Sequence, residues 1–489
     1  MIVPLGEAVA DTCGGKAGAL GTLLRAGLPV PDGFVLPYAA YRAAVRDLDI
    51  GRSARDPDRA TSRLTAETDN LATVRVIGRP DELDATRRAI EARPVHAAVI
   101  EAVGRGLREL GDRPVAVRSS AAGEDTGQAS AAGQHESFLA VRGTAGVTHA
   151  VRACWASLFS PRAIDYRDAS GRPAGDLAMA VIVQRHLDAE VSGVMFTPAD
   201  ADDPTLIEAS FGLGPSVVGG QVAPDAYRVA GNGSVTRTVG DKRTRLDRHG
   251  ARLVVSEVPI RAREQQAIDD ATAERLAGLG RRIAAVLGGP QDIEWAIADG
   301  RLWVLQARPV TAAPPPPAPP PAVPPVAPDT ANAAKAEDMD GTRNTEDAND
   351  GARTADTADT ADTADTGDTG IAGDTRVAGD TGDTVLRGTP GSRGTVTGAA
   401  RVVRGPGDFG RVRRGDILVC PFTDPAWTPL LRVVAGVVTE TGGVLSHAAI
   451  VAREQAIPAV LGVPDAMSRL RDDTVLTVDG TAGTVTATG

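Results

Sequence analysis

One tract without a single Phe, Trp or Tyr divides this chain of 489 residues into two separately foldable blocks. It opens with AAPPPPAPPPAVPPVAP from Ala312 to Pro328 and continues through repeated Ala-Asp-Thr triplets to about Val385. Such a segment has almost nothing apolar to bury against its conformational entropy, so it is expected to be disordered: extended where proline dominates, flexible where Asp and Thr alternate. The triplets are too few, and Gly too irregular among them, for a fibrous repeat. Treated as a coil of about 72 residues, the tract spans roughly 45 to 50 Å, enough to carry one domain between two sites. From Pro314 to Val385 it holds 15 acidic and four basic residues, a charge of −11. The whole chain also has a net charge of −11, so the remainder is neutral.

That balance excludes a protein that coats nucleic acid. With 42% hydrophobic residues the two blocks can bury real cores, which excludes a wholly disordered chain. Cys13, Cys154 and Cys420 form no Cys-x-x-Cys pair and are too few for a disulfide framework. Cys420, after an apolar run, is expected to be a buried, inert thiol. The start, MIVPLGEAVADTCGG, has no basic and then apolar signal pattern, and no later run approaches the 18 or so apolar residues of a membrane span. A soluble cytoplasmic protein, without nucleic-acid or membrane partners, is the expectation.

The fold class expected is α/β and α+β multidomain: residues 1–312, the linker 313–385, and residues 386–489. In the first block, Ala39 to Asp49 and Arg261 to Leu287 are helix-like, while Val115 to Val117, Met179 to Gln184 and Trp303 to Gln306 are β-rich. In the second block, β-rich runs cover Gly394 to Val403, Asp416 to Val419, Val433 to Thr439 and Val475 to Val478, with a helix starting near Ser446.

The segment TETGGVLSHAAIVARE, Thr439 to Glu454, carries the most chemistry. An apolar run ends in a Gly-Gly turn, and Ser446 is placed to cap a helix that Pro458 stops. His447 then lies in the first turn, beside unpaired N–H groups and the positive end of the dipole. A phosphoryl group is favoured there and imidazolium disfavoured, which keeps the ring neutral and nucleophilic near neutral pH. Gly442 and Gly443 are expected to leave the ring open to a bulky donor. A His with no chemistry, merely occupying a helix start, is the plain alternative.

This block resembles the phosphohistidine domain of the phosphoenolpyruvate synthase, pyruvate phosphate dikinase and rifampin phosphotransferase family. The likeness runs from GSRGTVTGAARVV through GDILVCPFTDPAWTPL and TETGGVLSHAAIVARE to IPAVLGV and VDGTAGTV. It implies a small swivelling β/α domain whose His447 accepts a phosphoryl group and carries it to a second site. Arg453 either compensates phosphate charge or is a solvated helix arginine.

The first block resembles the same family's ATP-grasp nucleotide-binding domain. Gly14-Gly15-Lys16-Ala17-Gly18 is Gly-rich with a cation, but its spacing is not that of a Walker loop. Val115 to Ala121 delivers Arg118 into a turn of small residues. Glu124-Asp125 and the segment Ser130 to Phe138 follow, with Gly133, His135 and Ser137. The resemblance implies that Lys16, Arg118, Gly133 and Ser137 surround ATP phosphates, under a closing loop; a structural ion pair is the alternative for Arg118. His135 is expected to line that loop, and His96, His149, His186 and His249 stand in no motif. Gln184 is expected at the adenine. SGVMFT, IEASFGLG and GDK, beginning at Ser192, Ile207 and Gly240, match family segments without assigned roles.

Gln291 to Ile297 and Arg301 to Pro309 read as two strands of a hairpin around Asp299-Gly300. Period two puts Asp292 with Glu294, and Gln306 with Arg308. A three-residue loop, Ala298 to Gly300, sets Asp292 opposite Gln306 and all four on one face; a two-residue loop separates the pairs. The first is expected, since the family uses the equivalents of Glu294 and Gln306, with Asp292 less firmly, around Mg²⁺ and an arginine like Arg308 at the phosphates. An exposed polar hairpin face is the alternative.

The resemblance implies that ATP leaves its β-phosphoryl on His447, with Arg118 and Arg308 assisting, and that AMP and phosphate are released. Neither family acceptor domain is recognised in the sequence, so the acceptor is expected elsewhere or in trans, pyruvate-like or antibiotic-like. A phosphocarrier or regulatory module, and an inactive nucleotide-binding protein, are the competing readings.

Overall fold

Met179–Arg185 reads MAVIVQR, and its first six residues are buried without any polar alternation. A strand of this kind needs cover on both faces. In the computed structural model it is the centre of a five-stranded antiparallel sheet, ordered Val3–Pro4, Gly33–Leu36, Met179–Arg185, Val115–Ala121 and Ser137–Val141. Helices Ala10–Arg25 and Gly143–Ala156 share its apolar core through Ala17, Leu20, Val147 and Val151. The structure describes residues 2–46, 80–122, 136–161, 163–164, 177–200, 202–314 and 384–488. The expectations for the linker, for Glu124-Asp125, and for Gly133 and His135 lie outside these residues.

The first block also holds a six-stranded antiparallel sheet, ordered Arg301–Pro309, Gln291–Ala298, Val191–Phe196, Thr205–Phe211, Asp225–Val229 and Val235–Thr238, and a two-stranded one of Thr244–His249 and Arg252–Glu257. Tyr41, Ile207, Trp295 and Leu276 belong to the same buried core as the five-stranded sheet. The stretch Arg261 to Leu287 is two helices, Ile260–Arg263 and Asp270–Leu287, where one was expected. Asp269 causes the restart: its side chain accepts the Thr272 N–H at 2.8 Å, an N-cap in mid-stretch. The first expected helix is Tyr38–Val45 within the described residues.

The second block is built on an eight-stranded sheet. Four central strands, Thr395–Val402, Ile417–Cys420, Gly436–Thr439 and Ala459–Leu461, run parallel, and antiparallel strands flank them. All four residues of Ile417–Cys420 are buried. Leu418 and Cys420 pack with Ala448, Ala449 and Val451 of the helix His447–Glu454, while Ile417 and Val419 face Val460 and Val478. A further apolar cluster joins the blocks, with Leu445 and Ile450 set among Val194, Phe196, Val217 and Val222. No helix among the described residues is long and apolar enough to cross a membrane.

The hairpin corrects the expected turn. Ala298 pairs with Arg301, so the loop is the two residues Asp299 and Gly300, with φ of 52° and 66°. Both angles are left-handed, the signature of a type I′ turn matched to strand twist. A register shift follows between Glu294 and Trp295, because Leu305 is an extra residue bulged from its strand. Glu294 therefore pairs with Gln306, and Asp292 with Arg308 rather than with Gln306. All four share one face as expected, but the bulge and not the turn length puts them there.

Candidate functional site

Arg118 leaves the strand Val115–Ala121 and reaches both strands of the hairpin. Its Nη2 donates to Glu294 Oε2 at 3.0 Å and to Gln306 Oε1 at 2.8 Å, and its Nη1 to the Leu305 carbonyl at 2.6 Å. The bulge thus supplies a third acceptor as well as the register. Beside this group Arg308 donates from Nε to Asp292 Oδ2 at 2.9 Å, with Nη2 at 2.8 Å from the same oxygen. Both residues are buried. Burial pushes the Asp292 carboxyl upward, against the pull of the Arg308 guanidinium.

A cleft of about 520 Å³ opens over these side chains. Its walls bring together Lys16, Arg118, Ser137, Gln184, Glu294, Gln306 and Arg308, every described residue named from the sequence as nucleotide-binding. Lys16 lies on Ala10–Arg25 just after a break at Gly14, whose φ is 84° and whose place against Ser120 leaves no room for a Cβ. Ser137 begins the strand Ser137–Val141. Gln184 is 2% exposed and its Nε2 donates to the Pro31 carbonyl at 2.9 Å, which leaves its Oε1 for the cleft. For a hard cation, Asp292, Glu294 and Gln306 offer oxygen donors on one face. Among the described residues no group of three His, Cys, Asp or Glu side chains forms a closed metal cage. The oxygens fit a partial set of the kind that phosphate and water complete.

His447 is the first residue of the helix His447–Glu454, as expected, and Ser446 is its N-cap residue. The capping itself is different: Ser446 Oγ donates to the Gly443 carbonyl at 2.8 Å and accepts no helix N–H. The ring is not open either. His447 is 4% exposed and borders a cavity of about 70 Å³ with Asp292, Glu294 and Arg308. Gly219, Pro425, Glu294 and Arg308 line both this cavity and the larger cleft, so the ring stands behind a shared wall. Gly443 instead lets the turn settle on the Glu208 carboxylate, where a Cβ would lie 2.6 Å from Oε2 and nearer still to Oε1.

Burial lowers the His447 pKa from 6.5 to about 3, and Arg308 adds a smaller push in the same direction. The ring is therefore neutral at any physiological pH. Nδ1 lies 3.0 Å from Thr423 Oγ1, and Nε2 3.4 Å from Thr428 Oγ1. The sequence reading missed these two hydroxyls; their signal was two threonines just after the buried strand Ile417–Cys420. It gave Glu208 no role, although a carboxylate inside the buried run Thr205–Phe211 demands one. Arg453 is not a solvated arginine: it donates to the carbonyls of Ala312, Gly391 and Val444 at 3.2, 3.0 and 2.8 Å. Cys420 is fully buried and its thiol pKa is pushed up by burial. Lys242, in the GDK segment, is a buried partner of Asp225.

Residues 10–319 match the model of the pyruvate phosphate dikinase AMP/ATP-binding domain, and residues 412–483 that of the PEP-utilising enzyme mobile domain. The chain belongs to the PEP-utilising enzyme family. Among its curated relatives are proteins named probable phosphoenolpyruvate synthase from Methanothermobacter thermautotrophicus, 34% identical over 98% of this chain, and from Archaeoglobus fulgidus, 34% over 96%. A phosphoenolpyruvate synthase of Aeropyrum pernix is 31% identical over 97% of the chain. The chain spans 62%, 56% and 56% of the length of these three relatives. Family membership supports ATP as a ligand and a mobile domain that bears the histidine.

Proposed function

We propose that this chain is an ATP-dependent dikinase-type phosphotransferase, with an ATP-grasp domain at residues 1–312 and a swivelling phosphohistidine domain at residues 386–489. One observation carries the reading: neutral His447 faces a buried cavity walled by Asp292, Glu294 and Arg308, residues of the hairpin that also floors the nucleotide-sized cleft. Lys16, Arg118 and Arg308 would hold the polyphosphate, while Gln184 and the apolar wall at Leu139 and Leu187 take the base. Mg²⁺ held by Asp292, Glu294 and Gln306 would neutralise phosphate charge as it builds.

With Thr423 Oγ1 accepting from Nδ1–H, the Nε2 lone pair is the nucleophile. Nε2 attacks the β-phosphorus, and the bond from that phosphorus to the oxygen bridging the α-phosphate breaks, releasing AMP. Water then takes the terminal phosphoryl group, so His447 keeps the β-phosphoryl and inorganic phosphate departs. The arginines stabilise charge already in place, at no reorganisation cost. The relatives' name favours a pyruvate-like acceptor over an antibiotic-like one. ATP labelled at the β or γ position tests the reading. Acid-labile β label that is absent from His447→Ala, with AMP formed, is expected; retained γ label or no AMP would overturn it.

A further inference from the structure

We propose that Glu208 is a positioning residue for His447, a docking contact through which the first block sets the reactive ring. The inference rests on the reading of His447 as phosphoryl carrier and concerns a residue outside the nucleotide cleft. Glu208 lies on the strand Thr205–Phe211 of the first block and is 2% exposed. Its Oε1 accepts the N–H of Leu445 at 3.2 Å, and burial pushes the carboxyl up to about 7 against the pull of the Leu445 and Val444 N–H groups. Leu445 is two residues before His447. A carboxylate that fixes the 443–445 turn therefore fixes where the helix begins and where the imidazole stands.

The partner surface is shaped to this carboxylate. The atoms that a Cβ at Gly443 would meet first are all those of the Glu208 carboxyl group. Around it, Thr441 Oγ1 donates to the Gly220 carbonyl at 2.6 Å and Gly442 N–H to the Val222 carbonyl at 3.2 Å. Leu445 and Ile450 fill the apolar pocket of Val194, Phe196, Val217 and Val222. Arg453 holds the far end of the turn at the Val444 carbonyl, and reaches Ala312 of the first block.

Among the described residues, Glu208 Oε2 and Arg453 Nη2 are both buried without a hydrogen-bond partner. The contact thus opposes the gain from Leu445 and Ile450 with the cost of drying a carboxylate. Such a balance makes the docked state specific in register yet reversible, which a carrier that must leave requires.

A double-mutant cycle tests the contact. In the full chain, Gly443→Ala forces a methyl into the carboxylate, Glu208→Ala removes the acceptor, and the double variant removes the overlap. Two readouts are taken: the rate of β-label transfer to His447 at saturating ATP, and the distance between spin labels on Arg252→Cys and Arg471→Cys, both exposed positions. Gly443→Ala is expected to slow labelling about tenfold or more and to lengthen the distance, with ATP affinity held within about twofold. The double variant should return to within about threefold of Glu208→Ala alone. Additive losses, or a distance unchanged across all three variants, would overturn the proposal. Should the wild type take no label, the phosphotransfer reading fails, and the distances alone still decide whether Glu208 and Gly443 set the docking.

Discussion

Glu294 stands directly opposite Gln306 across a hairpin whose two-residue turn alone would have paired it with Leu305. The single bulged residue brings the Gln306 amide onto the face of the Glu294 carboxylate that Arg118 reaches, and its own carbonyl becomes an Arg118 acceptor. One residue of register decides whether Arg118 meets both side chains.

Arg118 makes three hydrogen bonds in fixed directions, which an ammonium cannot reproduce. Arg118→Lys is therefore expected to lose nearly as much as Arg118→Ala, about a hundredfold or more in the rate of β-label transfer. Rapid-quench labelling checks this. A lysine variant within about threefold of wild type would show that only the charge matters.

Thr423 Oγ1 lies 3.0 Å from Nδ1 of a ring that is otherwise enclosed. Thr423→Val keeps the volume and leaves Nδ1 without its partner, so labelling should slow by about tenfold to a hundredfold while thermal stability falls by only about 1 kcal/mol. Thr423→Ser should recover most of the rate. ¹⁵N chemical shifts of the ring report the tautomer independently.

Two buried groups near the docking turn titrate in opposite senses. His447 is lowered from 6.5 to about 3, so its contribution to stability is complete above 6.5 and is lost as pH falls toward 3. Glu208 is raised from 4.5 to about 7 by burial, so its contribution is complete below 4.5 and is lost as pH rises to 7. Each slope is about 1.4 kcal/mol per pH unit, and they cancel between 4.5 and 6.5. Urea unfolding of wild type and His447→Asn should differ by a constant above pH 6.5, with the difference moving in the variant's favour below it. A difference that stays constant down to pH 4 would show that the ring titrates normally in the folded chain.

Gly300 and Gly443 are glycines for different reasons. Gly300 has φ of 66° and nothing within 4 Å of a built Cβ, so Gly300→Ala should cost only about 1 kcal/mol, the backbone penalty. The thermal midpoint measures it. A much larger loss would mean that the turn, rather than the bulge, holds the hairpin in register.

Local pattern made much of this molecule legible. The run Met179 to Gln184 reads as a strand, and His447 as part of a helix's first turn, because apolar pattern and the Ser-His placement are properties of consecutive residues. The residues Lys16, Arg118, Ser137, Gln184, Glu294, Gln306 and Arg308 were named from motifs, and the fold brings them to one cleft. The charge partition, an acidic tract between two blocks whose charges sum to zero, also follows from the sequence alone.

What the sequence could not decide depends on contacts between residues far apart in the chain. A bulge at Leu305 has no local signature, since it appears only in the pairing of Arg301–Pro309 with Gln291–Ala298 and its carbonyl is held by Arg118, 187 residues away. The contacts of Thr423 and Thr428 with His447 come from the folding of the second block, while the closing of its cavity by Arg308 and the seating of Gly443 on Glu208 arise only when the two blocks pack as one unit. Secondary structure follows from short-range sterics and burial pattern, so sequence determined it. Register, desolvation and docking are set by distant neighbours, so tertiary structure alone decided them.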